Sequence, residues 1–391
     1  LPTNSSGNDG NLGFWNFAIV LQMNTALVIG GTGPTGHHIV NGLLLRGYEV
    51  AILHRGGHEV EEIPPEVEHI HVDPYDEASF LSGIGERRFD LCIATYGRLR
   101  MIARQMVGHC GQFISIGGAP AYAGYMNPQL PSPEGLMVPT AETDALVSNA
   151  EQDEKGYRIV RTEQAVFEYQ PDATHFRYPF IYGKYQLVPR EWCIVRRILD
   201  KRPFIILPDD GLSLCSYGYA GNMAHAVLLA VDNPGAARGE IFNCADDICP
   251  SVRQVVEIIA AALNVSMDIV SMPFHLAQPA WPLIGQPLPT HRVLDTAKLR
   301  YRLNYKDQTH PADAIAETAL QLAAAPLEKG GTEEWVLQDP FDYRAEDALV
   351  ASWQVACNSI QIPEYREDAP GVGLAYSGPG GRPRSQTEFK S

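Results

Sequence analysis

Apolar and polar positions in the first third of the chain follow two alternating periods. Short apolar runs predict buried strands at Ala26–Ile29, Glu49–Leu53, Val67–Val72, Phe89–Thr95 and Gln112–Ile116. Between the first two, Ile39, Val40, Leu43 and Leu44 share one helical face, and Gly97–Val107 predicts another helix. Strands alternating with helices imply a doubly wound parallel sheet covered on both sides. A Pro- and Gly-rich loop spans 121–142, a helix follows at about Tyr157–Tyr169, and Ala173–Tyr178 reads as a sixth strand. Beyond Tyr182 the pattern changes. Helices are predicted at Arg190–Asp200, Met223–Val231, Val252–Leu263, Asp295–Arg302 and Ala312–Ala324, with short strands at Phe204–Leu207 and Ile241–Asn243. Met272–Pro289 carries five prolines and reads as a long loop.

The turn after the first strand reads I-G-G-T-G-P-T-G, with Gly30, Gly33 and Gly36 at G-x-x-G-x-x-G spacing and Thr32, Pro34 and Thr35 between them. Gly30 permits the tight turn, Gly33 a close approach to a pyrophosphate, and Gly36 close helix–strand packing. Phosphates then meet the free N–H groups and dipole at a helix N-terminus. The expected fold is therefore α/β: a Rossmann-type dinucleotide-binding domain over 23–182 and a smaller, mainly substrate-binding α/β subdomain over 183–325. A helical appendix at 326–362 and a flexible Gly/Pro-rich tail at 363–391 follow. The appendix contains an amphipathic helix, Ala345–Cys357, predicted to bury Leu349, Trp353 and Ala356. It either caps the substrate region or contributes to a homodimer interface. Met23 directly precedes the first strand, so residues 1–22 are expected to be a leader or extension.

The second strand ends His54-Arg55-Gly56-Gly57, where an acid would select NAD by accepting both ribose hydroxyls. Arg55 can instead pair with a 2′-phosphate, so the expected cofactor is NADP, with NAD less favoured. Thr95, Tyr96 and Gly117 end the fourth and fifth strands and should line the cleft, because ligands bind at the carboxyl ends of such strands.

Composition narrows the function classes. A net charge of −16 argues against a broad nucleic-acid footprint. Seven cysteines without C-x-x-C spacing suggest free thiols in a reducing, cytoplasmic setting. Cys244 and Cys249 do not form a zinc knuckle and no histidine pair completes one, so no metal is expected. No apolar run reaches the ~20 residues of a membrane span. Phe14–Leu21 is apolar but short and lacks a preceding basic residue, which fits a signal peptide poorly.

Four segments together resemble the extended short-chain dehydrogenase/reductase superfamily, epimerase/dehydratase branch. They are the glycine turn, P-T-A-E-T-D at Pro139–Asp144, F-R-Y-P-F-I-Y-G at Phe176–Gly183, and G-E-I-F-N-C at Gly239–Cys244, spanning roughly 24–325. P-R-E-W at Pro189–Trp192 and R-R-I-L-D-K-R-P at Arg196–Pro203 are similar to an atypical subgroup that includes the RNA-associated chloroplast stem-loop-binding proteins. The resemblance implies that Asp73 accepts from the adenine amino group and that Tyr178 and Pro179 border the cofactor. It also implies a catalytic tyrosine with a lysine four residues on, sharing a helical face. The chain offers Tyr157 with Arg161 in that spacing, Tyr157 handling the proton and Arg161 the charge. Alternatively, Glu163 is the acid that follows the lysine, and the pair falls on Lys155 and Ile159. Gly117 and Gly118 stand where a hydroxyl is expected, and Tyr122 is an alternative proton donor.

In nucleotide-sugar enzymes of this branch an arginine after the D-G turn grips the diphosphate. Here Cys215 occupies that position, so a nucleotide-sugar substrate is not expected. Tyr182, Trp192 and Tyr217, with His275, Trp281 and His291 also available, suggest an aromatic pocket for a less charged organic molecule. The expected activity is NADP-dependent hydride transfer on a small carbonyl or alcohol. The alternatives are an epimerase- or dehydratase-like enzyme with no net redox, or an RNA-associated binding protein using Arg196, Arg197, Lys201 and Arg202.

Overall fold

The computed structural model describes residues 24–57, 59–95, 97–364 and 379. The expectations for residues 1–22, for Tyr96 and for the tail beyond 364 lie outside the described residues. In chain order the first half contains β1 (Thr25–Ile29), α1 (Gly36–Leu44), β2 (Glu49–His54), β3 (Glu68–His71), α2 (Glu77–Ile84) and β4 (Phe89–Ala94). It continues with α3 (Leu99–Gln105), β5 (Cys110–Gly118), α4 (Glu154–Tyr169), β6 (Thr174–Tyr178) and β7 (Phe180–Tyr182). The second half runs α5 (Trp192–Leu199), β8 (Phe204–Pro208), β9 (Tyr217–Tyr219), α6 (Ala220–Asp232), α7 (Pro234–Ala237), β10 (Ile241–Asn243) and α8 (Val252–Ala262). It closes with β11 (Asp268–Met272), α9 (Trp281–Ile284), α10 (Ala297–Leu303), α11 (Pro311–Ala324), α12 (Thr332–Trp335) and α13 (Tyr343–Ser359).

A seven-stranded sheet has the order β10-β6-β5-β4-β1-β2-β3, and every pair is parallel. Its central strands are buried on both faces, which is why they read as unbroken apolar runs. Side chains alternate between two cores. Val28, Ile52 and Ile93 face Ile39, Val40 and Leu43 of α1 and Met223 and Val227 of α6. Leu27, Leu53 and Cys92 face Phe80 of α2, Leu99 and Ile102 of α3, and Val166 of α4.

The expected boundary at residue 182 does not separate compact units. Residues up to Phe341 form one unit, and a second begins at Asp342. β10 completes the large sheet and α6 covers it, although both lie beyond residue 182. Two-stranded parallel pairs β7–β9 and β8–β11 lie outside the large sheet. The proline-rich 272–289 segment holds a single-turn helix at Gln278–Ala280 and the short α9, because prolines at first-turn positions are compatible with a helix start.

Within the first unit the appendix folds onto α5. Glu334 accepts from the Trp192 indole N–H at 2.9 Å and from Arg196, Asp339 accepts from Arg197 at 2.7 and 3.2 Å, and Lys329 pairs with Asp200 at 2.6 Å. In the second unit the predicted amphipathic helix extends over Tyr343–Ser359. Leu349 and Trp353 are half-buried and Ala356 is exposed, while Glu346 and Val350 are the buried positions.

Candidate functional site

The glycine turn is locked by the protein at two of its three glycines. Gly30 has φ +86°, and a Cβ there would lie 2.2 Å from the Thr95 hydroxyl. A Cβ on Gly36 would lie 2.1 Å from the Gly31 carbonyl oxygen, so only glycine lets α1 start against β1. At Gly33 the nearest protein atom would be 3.7 Å away. The protein itself leaves Gly33 room for a side chain, as expected where a glycine serves a bound ligand. Thr35, at the N-cap of α1, makes no side-chain capping bond, and the first turn carries no acid. The helix N-terminus thus retains its affinity for an anion. A dinucleotide pyrophosphate fits this set of groups.

Thr95 serves the same turn. Its hydroxyl donates to the Ile29 carbonyl at 2.9 Å and bridges β4 to β1. Tyr178 is buried and donates to the Met223 carbonyl at 3.1 Å, while Pro179 is half-buried behind it. Gly117 departs from its cleft-lining expectation: a Cβ there would lie 2.5 Å from His175 Nε2, so core packing requires this glycine. Just beyond β2 Arg55 is exposed and lies 5.5 Å from the Tyr75 ring centroid, and Arg98 approaches the same ring at 5.3 Å. Asp73 uses one carboxylate oxygen to accept the Tyr75 N–H at 2.9 Å, a local turn ahead of the base-reading role expected of it.

On α4, Glu163 is buried and accepts two hydrogen bonds from Arg177 of β6, at 2.8 and 2.7 Å. Its carboxylate also lies 3.5 Å from His175 Nε2, and His175 Nδ1 lies 2.7 Å from the Ser115 hydroxyl. Four and eight residues before Glu163 stand Ile159 and Lys155. Ile159 Cδ1 lies 3.9 Å from a Cβ built on Gly118, at the end of β5, and Lys155 is exposed. Tyr157 lies two residues from each and, like Ile159, packs against one apolar cluster. It is half-buried against Ala121, Val147 and Val160. Arg161 is exposed and donates to Gln164 at 2.9 Å.

Tyr122 departs from its expected role as a proton donor. It is fully buried, donates to Asn243 at 2.7 Å and accepts from Arg177 at 2.8 Å. Burial pushes its hydroxyl up to about 12, against the pull of Arg177. Ser115, His175 and Glu163 resemble a nucleophilic triad in composition only, since all three are buried in the core. Burial holds the His175 imidazole neutral, down to about 4.

The residues around β7 and β9 contain a feature the sequence reading missed. Arg190 and Arg292 are buried and close around the same aromatic group. The Arg190 guanidinium stacks 3.1 Å above the Phe180 ring centroid and donates to the Tyr217 hydroxyl at 3.3 Å. Arg292 is 1% exposed and lies 4.9 Å from the Tyr125 centroid and 5.9 Å from Phe180. Nη2 of Arg190 and all three guanidinium nitrogens of Arg292 have no oxygen or nitrogen acceptor among the described residues; the Cys215 thiol lies against Arg292, and the buried Glu191 carboxylate interacts with Arg190. The backbone explains the convergence: Arg292 donates to the Leu214 carbonyl at 2.8 Å and accepts from the Ser216 N–H at 2.7 Å, which sets it beside Cys215. Cys215 had argued against anion recognition, yet Arg292 brings a guanidinium to that position from a distant segment. No local motif announces it.

The aromatic pocket expected from Tyr182, Trp192 and Tyr217 is only partly assembled. Tyr217 lies under Arg190. Tyr182 is buried and donates to Asp246 at 2.9 Å, and burial raises that carboxyl to about 7. Trp192 anchors the appendix through Glu334. His275 and His291 are both exposed, the latter accepting from the Leu214 N–H. Two members of the basic cluster, Arg196 and Arg197, are spent on Asp200, Glu334 and Asp339, which weakens the RNA-binding reading. The sequence predicts no metal centre, whereas the fold gathers His54, Glu59, His69 and His71 at the ends of β2 and β3.

No family model and no curated protein matches the chain. Solved structures do. A UDP-galactose 4-epimerase is 16% identical, covering 78% of this chain and all of its own, with TM-score 0.59. The Bordetella bronchiseptica enzyme WbmH, in complex with NAD+, is 13% identical over 78% of this chain and 100% of its own, with TM-score 0.62. A dTDP-glucose 4,6-dehydratase from Bacillus anthracis, in complex with NAD, is 14% identical over 77% of this chain and 97% of its own, with TM-score 0.59. At that identity the likeness is one of architecture, and the chain has the fold of the NAD-dependent epimerases and dehydratases.

Proposed function

We propose that this chain is a nicotinamide-dinucleotide-dependent enzyme, using NADP in preference to NAD, that acts on a small carbonyl or alcohol carrying a negatively charged group. The observation that carries the substrate class is the pair Arg190 and Arg292, buried, stacked on aromatics and lacking oxygen or nitrogen acceptors for four of their nitrogens. Buried charges are ordinarily paired, and the buried Glu191 carboxylate, which interacts with Arg190, is one negative group beside two guanidiniums, so the remaining charge and free N–H groups favour an anion. A carboxylate or phosphate offers the bidentate geometry they need. The two arginines converge beside Phe180, just beyond the carboxyl end of β6, where open α/β sheets bind ligands.

Gly33, the uncapped start of α1 and Arg55 would hold the dinucleotide. When bound, it supplies hydride transfer at the nicotinamide ring. The protein's part is to fix the anionic end of the substrate, exclude water with Phe180, Tyr125 and Tyr217, and stabilise negative charge on the reacting oxygen. The Glu163–Arg177 pair favours the α4 register that puts Lys155, Ile159 and Gly118 in the positions of tyrosine, lysine and hydroxyl. This supports a second reading, an epimerase- or dehydratase-like enzyme with no net redox. Turnover with no lasting change in nicotinamide absorbance would favour it. The unpaired cysteines support a reducing, cytoplasmic setting.

The test of the cofactor is a fluorescence titration with NADPH and NADH. NADPH should bind more tightly, and Arg55→Ala should remove that preference by about tenfold or more, the worth of a charge-assisted hydrogen bond. Binding of neither dinucleotide would overturn the proposal.

A further inference from the structure

His54 ends β2, and His69 and His71 lie two apart on β3, so the latter two share a face. In the parallel register His54 pairs with His71 and Ile52 with His69, which puts all three imidazoles on one side of the sheet edge. Their ring centroids are 4.8 to 5.8 Å apart. The connection between these strands returns over the same side. Val60 and Ile63 are buried with Ile52 in the core, and this pins Glu59 above the histidines. Glu59 Oε2 lies 3.1 Å from His69 Nδ1, and Oε1 lies 3.4 Å from His71 Nε2 and 3.7 Å from His54 Nε2. His54 Nε2 and His69 Nδ1 are 3.1 Å apart, and the four ligand atoms all fall within 4.8 Å of one another.

The shorter of these separations match a coordination shell, and the longer ones close when the half-exposed Glu59 and His71 side chains draw in. Bonds of about 2.0–2.1 Å to nitrogen and oxygen in a tetrahedron place ligand atoms about 3.3 Å apart. Three imidazoles and one carboxylate are ligands of borderline softness, suited to zinc. We propose that His54, Glu59, His69 and His71 bind one Zn2+ as a four-coordinate structural site. The site ties Glu59 to β2 and to β3, an edge strand of the sheet. Entry is open: His71 and Glu59 are each about half exposed, whereas His54 is 6% exposed at the floor. His54 Nδ1 now accepts the Gly56 N–H at 3.2 Å. Ligation through Nε2 moves the proton to Nδ1 and requires that N–H to turn away, a change that Gly56 and Gly57 make at low conformational cost. The sequence signal is H-x-H on a strand, with a histidine ending the preceding strand and a glutamate between.

The experiment uses the full chain without a polyhistidine tag, stripped with EDTA and desalted after addition of two equivalents of Zn2+. Elemental analysis should return one zinc per chain, with a raised thermal midpoint. Co2+ in place of Zn2+ should give the intense visible bands of a four-coordinate site. The double variant His69→Ala with His71→Ala should lose retained zinc and the cobalt spectrum while keeping the metal-free midpoint. Glu59→Gln, at a half-exposed position, should weaken zinc about tenfold or more in competition with a chromophoric chelator, even if the double variant does not fold. No zinc retained by the wild type, retention unchanged in the variants, or a weak octahedral cobalt spectrum would each overturn the proposal.

Discussion

Arg292→Met separates two demands placed on one side chain. Arg292 is 1% exposed, and its Nε, Nη1 and Nη2 have no oxygen or nitrogen acceptor among the described residues. A buried donor without a partner costs about 1–3 kcal/mol. The faces of Tyr125 and Phe180, at 4.9 and 5.9 Å, return about 2 kcal/mol of the total. Methionine fills similar space, brings no donor, and leaves the backbone pairing with Leu214 and Ser216 untouched. The ligand-free variant should therefore be more stable than the wild type by about 1–4 kcal/mol, the range seen when buried ionic groups give way to apolar ones. Urea unfolding at constant slope is the assay. The wild type should gain stability from a small dicarboxylate, about 2.7 kcal/mol at a hundredfold excess over Kd, and the variant should gain almost none. A variant destabilised by about 3 kcal/mol would mean that the guanidinium already has a partner. An undiminished anion response would place the anion elsewhere. Either result refutes the reasoning.

Two further outcomes are expected. If α4 follows the Glu163 register, Tyr157→Phe changes turnover by less than about threefold; a loss of about 100-fold or more, the scale of a general acid–base group, would restore Tyr157 as the proton carrier. The His175 imidazole is held neutral down to about 4 by burial, against its ordinary 6.5. The unfolded chain therefore takes up a proton first as pH falls. Stability is complete above 6.5 and is lost between 6.5 and 4, by about 3 kcal/mol from this group. His38, lowered to about 4 by burial and by His37, adds to the same acid limb. Unfolding free energies measured across that range should fall toward acid, less steeply in His175→Asn. A flat wild-type profile would contradict the assignment.

Much of the fold was legible because its signals are local. Buried parallel strands read as apolar runs, and α1 shows its buried face in the spacing of Ile39, Val40 and Leu43. The glycine turn follows from backbone geometry, and two of its three glycines are required by atoms within reach of the turn itself. Helix α2 was missed because its pattern is short: Phe80 and Ile84 are its only buried residues. Its N-cap Asp76 was the available signal.

The site was less legible because the meaning of a charged or aromatic residue depends on its partners. Tyr122 and Tyr182 are good pocket residues by type, but Asn243, Arg177 and Asp246 consume their hydroxyls. Arg196 and Arg197 read as a basic surface until Glu334 and Asp339 fold back onto them from far along the chain. The register of α4 depends on Glu163 finding Arg177 on a neighbouring strand, which periodicity does not encode. By itself the sequence determined the alternating strands and helices of the sheet and the glycine turn that ends β1, because apolar runs, helical spacing and glycines are local signals. Only the tertiary structure decided that Arg190 and Arg292 converge on Phe180, and that three histidines and a glutamate come together. Burial and pairing depend on distances in space, and those are set once distant segments pack together.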